Sequence, residues 1–191
     1  ISNLGIDLKK SKIFNKLSQR KHIDWAVSLE NVGNHFEYVR QGGSWDLMIG
    51  NLKHIQETTT HYINFQCIFH ILSLLKLKDL FNIAEEMNIN IEWQIIGDNS
   101  LTLDPLLYEG DIRNKCIDIL EDILNTEWTI EYNRDFLLDN LVNLKNNTGL
   151  NPLIDVNKNL VEYVTKQETL YNTSNHSFHD LWPEFNYLFN K

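Results

Sequence analysis

The chain has 191 residues, of which 42% are hydrophobic and 23% charged, so it has the size and apolar content of one or two small globular units. Its net charge of −9 argues against nucleic acid as a partner, because no Lys/Arg-rich stripe is present to replace phosphate counterions. Polar residues interrupt the longest apolar stretches well short of the roughly 20 residues that a membrane span requires, so we expect a soluble protein.

Short apolar runs alternate with amphipathic segments over residues 1–98, which is the pattern of β-α units around a parallel sheet. Strands are predicted over residues 23–29, 61–70 and 89–96. Helices are predicted over residues 8–20, 44–56 and 74–87. Ser44 is well placed as the N-cap of the second helix, whose apolar residues recur at helical spacing and can lie on a sheet.

Beyond residue 98 the pattern changes to helical periodicity, with Asn- and Pro-bearing joints between the periodic segments. This pattern predicts helices over residues 111–125, 133–146 and 152–166, and a last short helix around residues 182–189. The expected fold class is therefore α/β, with β-α units over residues 1–98 and a mainly helical region over residues 99–191.

The cysteines and histidines predict no metal site of their own. Cys67 and Cys116 are far apart in the sequence and lie in apolar patterns, so both are expected to be buried small hydrophobes in a reducing, cytoplasmic setting. The histidines show no metal-ligand spacing, and His70 is predicted to be a hydrogen-bonded core residue. Ile1 follows no initiator Met and no signal sequence, so we expect a part of something longer.

One block of the sequence carries a family resemblance. Residues 25–31 read WAVSLEN, residues 35–45 read HFEYVRQGGSW, and Asn51 and Leu52 follow. This order resembles the fifth barrel strand of radical S-adenosylmethionine (SAM) enzymes, together with the turn and helix after it. In that family the strand ends in Ser-hydrophobic-Asp-Gly, an Arg-Gly pair follows, and the next helix carries an Asn.

The flanks of this block agree with the same register. Residues 1–5 resemble the end of the family's fourth strand, and residues 70–87 resemble its sixth strand and helix. Asp104-Pro105-Leu106 and residues 178–185, FHDLWPEF, look like the tail of the twitch-domain members. The resemblance therefore implies a partial (β/α) barrel over residues 1–98, with strands like the fourth to the sixth, and a helical twitch-like region over residues 99–191.

The resemblance also implies an activity and a set of cofactor contacts. The activity is reductive cleavage of SAM to a deoxyadenosyl radical, followed by hydrogen abstraction from an unknown small-molecule or peptide substrate. Ser28 and Glu30 would hydrogen-bond the SAM ribose, Arg40 would pair with the SAM carboxylate, and Asn3 would add a polar contact. In β/α barrels such groups lie at the carboxyl ends of the strands.

Two departures from the family pattern limit what this chain does alone. The CxxxCxxC loop that holds the 4Fe-4S cluster is absent, and Cys67 and Cys116 cannot supply it. The chain alone is therefore expected to lack the cluster and the activity, and the missing N-terminal half is an implied partner. The family's Asp-Gly is Glu30-Asn31 here.

Two other functions remain open at this point. The first is a natural half-barrel that serves as a binding or interaction module without catalysis. The second is a standalone α/β enzyme with acid–base residues in a pocket formed by the same strand ends. Taken locally, Arg40 followed by Gly42 and Gly43 also fits a plain loop before a capped helix.

Overall fold

The computed structural model describes residues 4–95, 103–146, 155–171 and 176–189. Three strands form one parallel sheet in the order β1-β2-β3: β1 is Asp24–Ser28, β2 is Tyr62–Phe69 and β3 is Asn90–Ile95. All three lie where the sequence predicts strands. The mixed α/β class and the parallel sheet are therefore confirmed.

Five helices belong to the first half of the described chain: α1 (Lys12–Leu17), α2 (Gly33–Val39), α3 (Trp45–Thr58), α4 (Ile71–Leu74) and α5 (Leu77–Met87). Ser44 is the N-cap of α3, as predicted, and its Oγ accepts a hydrogen bond from the backbone N–H of Leu47 at 3.3 Å. The helix predicted over residues 8–20 is split, because Ser11 caps α1 after a separate 3₁₀ turn at Leu8–Lys10.

The second half is helical, as predicted. It contains α6 (Gly110–Asn125), α7 (Arg134–Lys145), α8 (Val156–Tyr171) and α9 (Phe178–Leu181), with 3₁₀ turns at Pro105–Leu107 and Pro183–Leu188. The last short helix is therefore α9 and a 3₁₀ turn. The predicted start of α8 at residue 152 and the predicted boundary at residue 98 lie outside the described residues.

The two faces of the sheet differ sharply. Paired residues of parallel neighbours point to the same side, so Val27, Phe65 and Ile91 form one row, and all three are buried. Helices α3 and α5 contact each other, because Gln56 Nε2 of α3 donates to the carbonyl of Met87 at 2.8 Å. Right-handed crossovers between strands in the order β1-β2-β3 place both helices on one side of the sheet.

The opposite face is polar and partly open. Ser28, Gln66 and Glu92 form a row across the three strands on this side. The Gln66 amide donates to the Glu92 carboxylate and accepts from Gln94 Nε2 at 2.7 Å. Parallel sheets are ordinarily covered on both faces and apolar on both. This face instead carries hydrogen-bonding side chains that tolerate water.

No helix is predicted over α2, and tertiary contacts explain why it forms. The Trp182 ring packs on it, with its centroid 4.9 Å from the ring of His35 and 5.5 Å from that of Tyr38. His35 Nε2 also lies 2.9 Å from the carbonyl oxygen of Leu181. The C-terminal segment thus stabilises a short helix that local propensity does not specify.

The described residues contain neither a closed barrel nor a helix that could span a membrane. The three strands do not close into a barrel in this part of the chain, so the partial barrel remains a prediction. In the same ranges no helix is both long and apolar enough to cross a membrane.

The Asn of the resembling motif has a structural role here. Asn51 is buried in α3; its Nδ2 donates to the carbonyls of Leu4 at 2.8 Å and Ile6 at 2.7 Å, and its Oδ1 accepts from Leu8 N–H at 3.0 Å. One side chain therefore fixes the N-terminal segment, residues 4–8, against α3.

We expect Asn51→Leu to lower the free energy of unfolding by about 2–4 kcal/mol, because it leaves three backbone groups without their partner in a buried position. Urea denaturation measures the change. Asn114→Leu, at an exposed position of α6, is the matched control and should stay within about 0.5 kcal/mol of the parent. Equal stability of the two variants would contradict the assignment.

Candidate functional site

Buried polar residues gather where β1 and β2 end. Of those in the described part of the chain, four follow these carboxyl ends: Glu30, Asn31, His70 and Ser73. Ligands of parallel α/β sheets bind at the carboxyl ends of the strands, because the loops after the strands converge there. The carboxyl edge of β1 and β2 is therefore the candidate site.

An ion pair between Glu30 and Arg40 dominates this edge. Arg40 Nε donates to Glu30 Oε2 at 2.9 Å, and Arg40 Nη2 donates to Glu30 Oε1, so the contact is bidentate. The Glu30 side chain is only 4% exposed, whereas that of Arg40 is 28% exposed. Arg40 thus satisfies a buried carboxylate on one side and reaches the surface on the other.

The turn after α2 fixes the position of Arg40. Gly43 N–H donates to the Arg40 carbonyl at 2.7 Å, and Gly42 has a φ of +77°, which a type II turn requires at its third residue. A Cβ on Gly43 would lie 2.8 Å from the Arg40 carbonyl oxygen, so a side chain there requires a backbone shift. The glycines are therefore needed for this turn. The alternative interpretation of this segment, a loop before a capped helix, also describes it correctly, since Ser44 caps α3 directly after the turn.

A cavity of about 490 Å³ opens beside this turn. The turn contributes Arg40, Gly42 and Gly43 to its lining, and Ser44 follows them. Gly5 and Ile6 of the N-terminal segment complete this side of the cavity. Two of the five guanidinium N–H groups bond to Glu30. The remaining donors of Arg40 have no other partner among the described residues, and Arg40 lines a cavity of the size that holds small ligands.

His70 is buried at the end of β2. Its Nδ1 accepts from the backbone N–H of Ser73 at 3.0 Å, and Ser73 Oγ accepts from the backbone N–H of His70 at 3.0 Å. This reciprocal cap starts α4 and confirms His70 as a hydrogen-bonded core residue. Burial, reinforced by the charge of Arg40, lowers the pKa of His70 to about 4, so the imidazole is neutral at physiological pH.

Asn31 was not singled out as a site residue by the sequence. It is 1% exposed, and neither its amide nitrogen nor its carbonyl oxygen has a hydrogen-bond partner among the described residues. Buried amides without partners are rare in folded proteins. The signal in the sequence is a Glu-Asn pair directly after an apolar strand, at the position where the resembling family has Asp-Gly.

The structure brings together only part of the predicted cofactor set. Glu30 and Arg40 bond to each other, so Glu30 positions the guanidinium. Ser28 is paired in register with Gln66 and therefore lies on the polar, open face of the sheet. Asn3 lies outside the described residues.

The thiols are unsuited to metal binding where they stand. Cys67 and Cys116 are both buried, as predicted. Burial raises the pKa of the Cys67 thiol well above its usual value and that of Cys116 to about 12, which keeps both protonated. The described ranges contain no group of three or more His, Cys, Asp or Glu side chains arranged to hold a metal ion.

No protein-family model, no curated protein and no solved structure matches this chain. The resemblance to radical SAM enzymes therefore depends on the motif residues of the sequence. The chemistry of the site has to be inferred from its own geometry.

Removing one partner of the buried ion pair should be costly in an asymmetric way. Arg40→Met leaves the buried Glu30 carboxylate uncompensated, so we expect a loss of about 3–5 kcal/mol in urea denaturation. Glu30→Gln should cost less, because Arg40 reaches solvent. The double variant Glu30→Gln/Arg40→Met should regain stability relative to Arg40→Met alone.

The exposed pair of Lys78 and Asp122 is the control for this series. Their side chains are 57% and 48% exposed, so Lys78→Met should cost at most about 1 kcal/mol. Additive losses in the Glu30/Arg40 double variant would show that the two side chains are not coupled.

His70 should make stability depend on pH. Its folded-state pKa of about 4 lies below the unfolded value of 6.5, so the unfolded state binds the extra proton between these pH values. Stability is full above pH 6.5 and falls as the pH drops towards 4, by about 3 kcal/mol from this group.

His70→Asn isolates that contribution, because Asn can still cap α4 but does not titrate. Urea denaturation of both proteins between pH 7 and pH 4 should show a steeper loss for the parent chain. If the two proteins lose stability in parallel as the pH falls, the pKa of His70 is not lowered in the folded state, and the assignment is wrong.

Proposed function

We propose that this chain is the C-terminal part of a radical SAM enzyme of the twitch-domain type and contributes to binding of the SAM amino-acid group. The enzyme would cleave SAM reductively and abstract hydrogen from an organic substrate. The observation that carries the proposal is Arg40, held at a cavity beside the carboxyl edge of a parallel sheet by a buried partner.

The strand order supports a barrel segment. The strands follow one another in chain order, β1-β2-β3, without the reversal that marks a doubly wound sheet. The crossover helices α3 and α5 contact each other on one face. In a (β/α) barrel every helix lies outside and the strands are neighbours in sequence order.

The open face of the sheet supports the same arrangement. In a barrel segment, the face opposite the helices points to the barrel interior. Here that face carries the hydrogen-bonded side chains of Gln66, Glu92 and Gln94. A polar interior suits a barrel that encloses a polar cofactor and its substrate, and it would be unexpected for a closed hydrophobic barrel core.

The residues at the edge fit the amino-acid end of SAM in part. A carboxylate matches the planar guanidinium of Arg40, which retains N–H donors after binding Glu30. Ser44, at the N-cap of α3, lines the same cavity. Glu30 serves in this scheme by orienting Arg40, and Ser28 lies on the open face of the sheet at the end of β1.

The 4Fe-4S cluster does not fit this chain. Cluster iron is bound by thiolates. Cys67 and Cys116 are buried and far apart in the sequence, and burial raises their pKa values, which keeps both thiols protonated. The cluster and the electron for SAM cleavage would come from the N-terminal half of the enzyme. The role assigned to this chain is to bind and orient.

A binding module without catalysis is the second candidate. The described part of the chain presents an open polar sheet face and a ligand-sized cavity, and these features serve recognition equally well without a cluster. The coding sequence upstream of Ile1 distinguishes the two candidates. A CxxxCxxC segment there agrees with the enzyme, and its absence contradicts it.

Ligand truncation tests the role of Arg40 without relying on a variant that could misfold. We expect SAM to bind the chain about ten-fold more tightly than decarboxylated SAM, which lacks only the amino-acid carboxylate, because a charged hydrogen-bonded pair contributes about 1.5 kcal/mol or more. Isothermal titration calorimetry or ligand-observed NMR measures both affinities.

In Arg40→Lys the charge remains and the bidentate fork is lost, so the preference for SAM should fall to about two- to three-fold. Lys53→Gln, which removes an exposed cation on α3 outside the cavity, should leave the preference unchanged. Equal binding of the two ligands by the parent chain would remove Arg40 from the site, and no saturable SAM binding would contradict the proposed function.

A further inference from the structure

A second cavity, of about 310 Å³, lies at the carboxyl end of β2. It shares no lining residue with the Arg40 cavity, and no part of the proposed function uses it. Its walls come from the last residue of β2, the turn before α6 and one side of α7. The lining includes Phe69, Asp104, Pro105, Leu106, Phe136 and Asp139.

The apolar part of the lining is aromatic and well fixed. The rings of Phe69 and Phe136 meet edge to face, with centroids 5.3 Å apart and planes at 88°. Trp93 supports both, since its ring stacks on Phe136 at 6.0 Å and meets Phe69 edge to face at 6.0 Å. Three rings from two strands and one helix thus form one rigid cluster beside the cavity.

A buried arginine holds the other walls together. Arg113 of α6 is 4% exposed and donates to the carbonyls of Leu106 at 2.6 Å, Tyr108 at 2.8 Å and Leu144 at 2.9 Å. These acceptors belong to the segment around the Pro105–Leu107 turn and to the end of α7. The turn is therefore fastened to α7 through side chain–backbone bonds, and the cavity between them is a built feature of the fold.

The charge of the lining is negative. Asp104 and Asp139 both line the cavity, and among the described residues no Lys or Arg does. Asp104 accepts a hydrogen bond from Leu106 N–H at 2.9 Å, which fixes its carboxylate at the turn. Asp139 is exposed on α7, and neither carboxylate belongs to an ion pair in the described part of the chain.

We propose that this cavity binds a small organic ammonium ion with an apolar body. The carboxylates at the opening attract a cation by Coulomb attraction, and the aromatic rings offer an apolar surface to the rest of the ligand. The volume admits one small molecule, with its apolar body against Phe69 and Phe136 and its ammonium group towards Asp104 and Asp139. A neutral ligand of similar size gains at most a hydrogen bond from the carboxylates, and an anionic ligand is repelled by them.

Three ligands of similar size that differ in charge test the role of the carboxylates. Benzylamine, which is a cation at pH 7, should bind saturably to the full chain, whereas benzyl alcohol and benzoate should bind at least about five-fold more weakly. Protein-observed NMR at low ionic strength measures the affinities and identifies the perturbed residues. Added salt should weaken benzylamine binding, because the carboxylates are partly exposed.

Conservative variants then locate the charge. Asp104→Asn/Asp139→Asn should weaken benzylamine binding about five-fold, and Asn at position 104 can still cap its turn. Asp118→Asn removes one exposed carboxylate of α6 outside the cavity and should leave the affinity unchanged.

The proposal is overturned if benzyl alcohol binds as tightly as benzylamine, or if Asp118→Asn weakens binding as much as the cavity variants do. It is also overturned if benzylamine shows no saturable binding at millimolar concentration. None of these outcomes bears on SAM binding at Arg40, because the two cavities have separate linings.

Discussion

The buried carboxylate of Glu30 is the constraint on which the carboxyl edge of the sheet depends. An ionised carboxylate in a protein interior is unfavourable unless it is paired and hydrogen-bonded, and Arg40 provides both through two donors. To reach Glu30, the chain needs α2 and the glycine turn that ends it. The same turn delivers Ser44 to the N-terminus of α3, so one ion pair links the end of β1 to the helix that covers the sheet.

Most helices and strands can be predicted from the sequence, because the residue patterns that determine them are local. Alternating and continuous apolar runs identify β1, β2 and β3, and Ser44 marks the start of α3. Helix α2 is one exception, because its stability comes from Trp182, far away in the chain. The short helix α4 is another, because it begins at the buried cap formed by His70 and Ser73. The split at Ser11 shows the opposite effect, since a single capping hydroxyl ends one turn and starts the next helix.

The candidate site can be predicted from the sequence only in part. The motif identifies Glu30 and Arg40 as members of one site, but it assigns both to a ligand, whereas the fold first bonds them to each other. The unpaired amide of Asn31 and the cap formed by His70 depend on burial, which a single sequence does not specify. The aromatic cavity is harder still to foresee, because Phe69, Asp104 and Phe136 come from separate segments that only tertiary packing brings together.

The two cavities give the carboxyl edge of the sheet opposite charges on its two sides. Arg40 lines the cavity near β1, and Asp104 and Asp139 line the cavity near the end of β2. His70 follows Phe69 directly, so it stands in the chain next to the acidic cavity while its imidazole responds to the charge of Arg40. Because burial keeps that imidazole neutral down to about pH 4, His70 adds no charge to the edge in the physiological range. Under the two proposals, the Arg40 cavity takes a carboxylate group and the cavity lined by Asp104 and Asp139 takes an ammonium group, so His70 does not interfere with either.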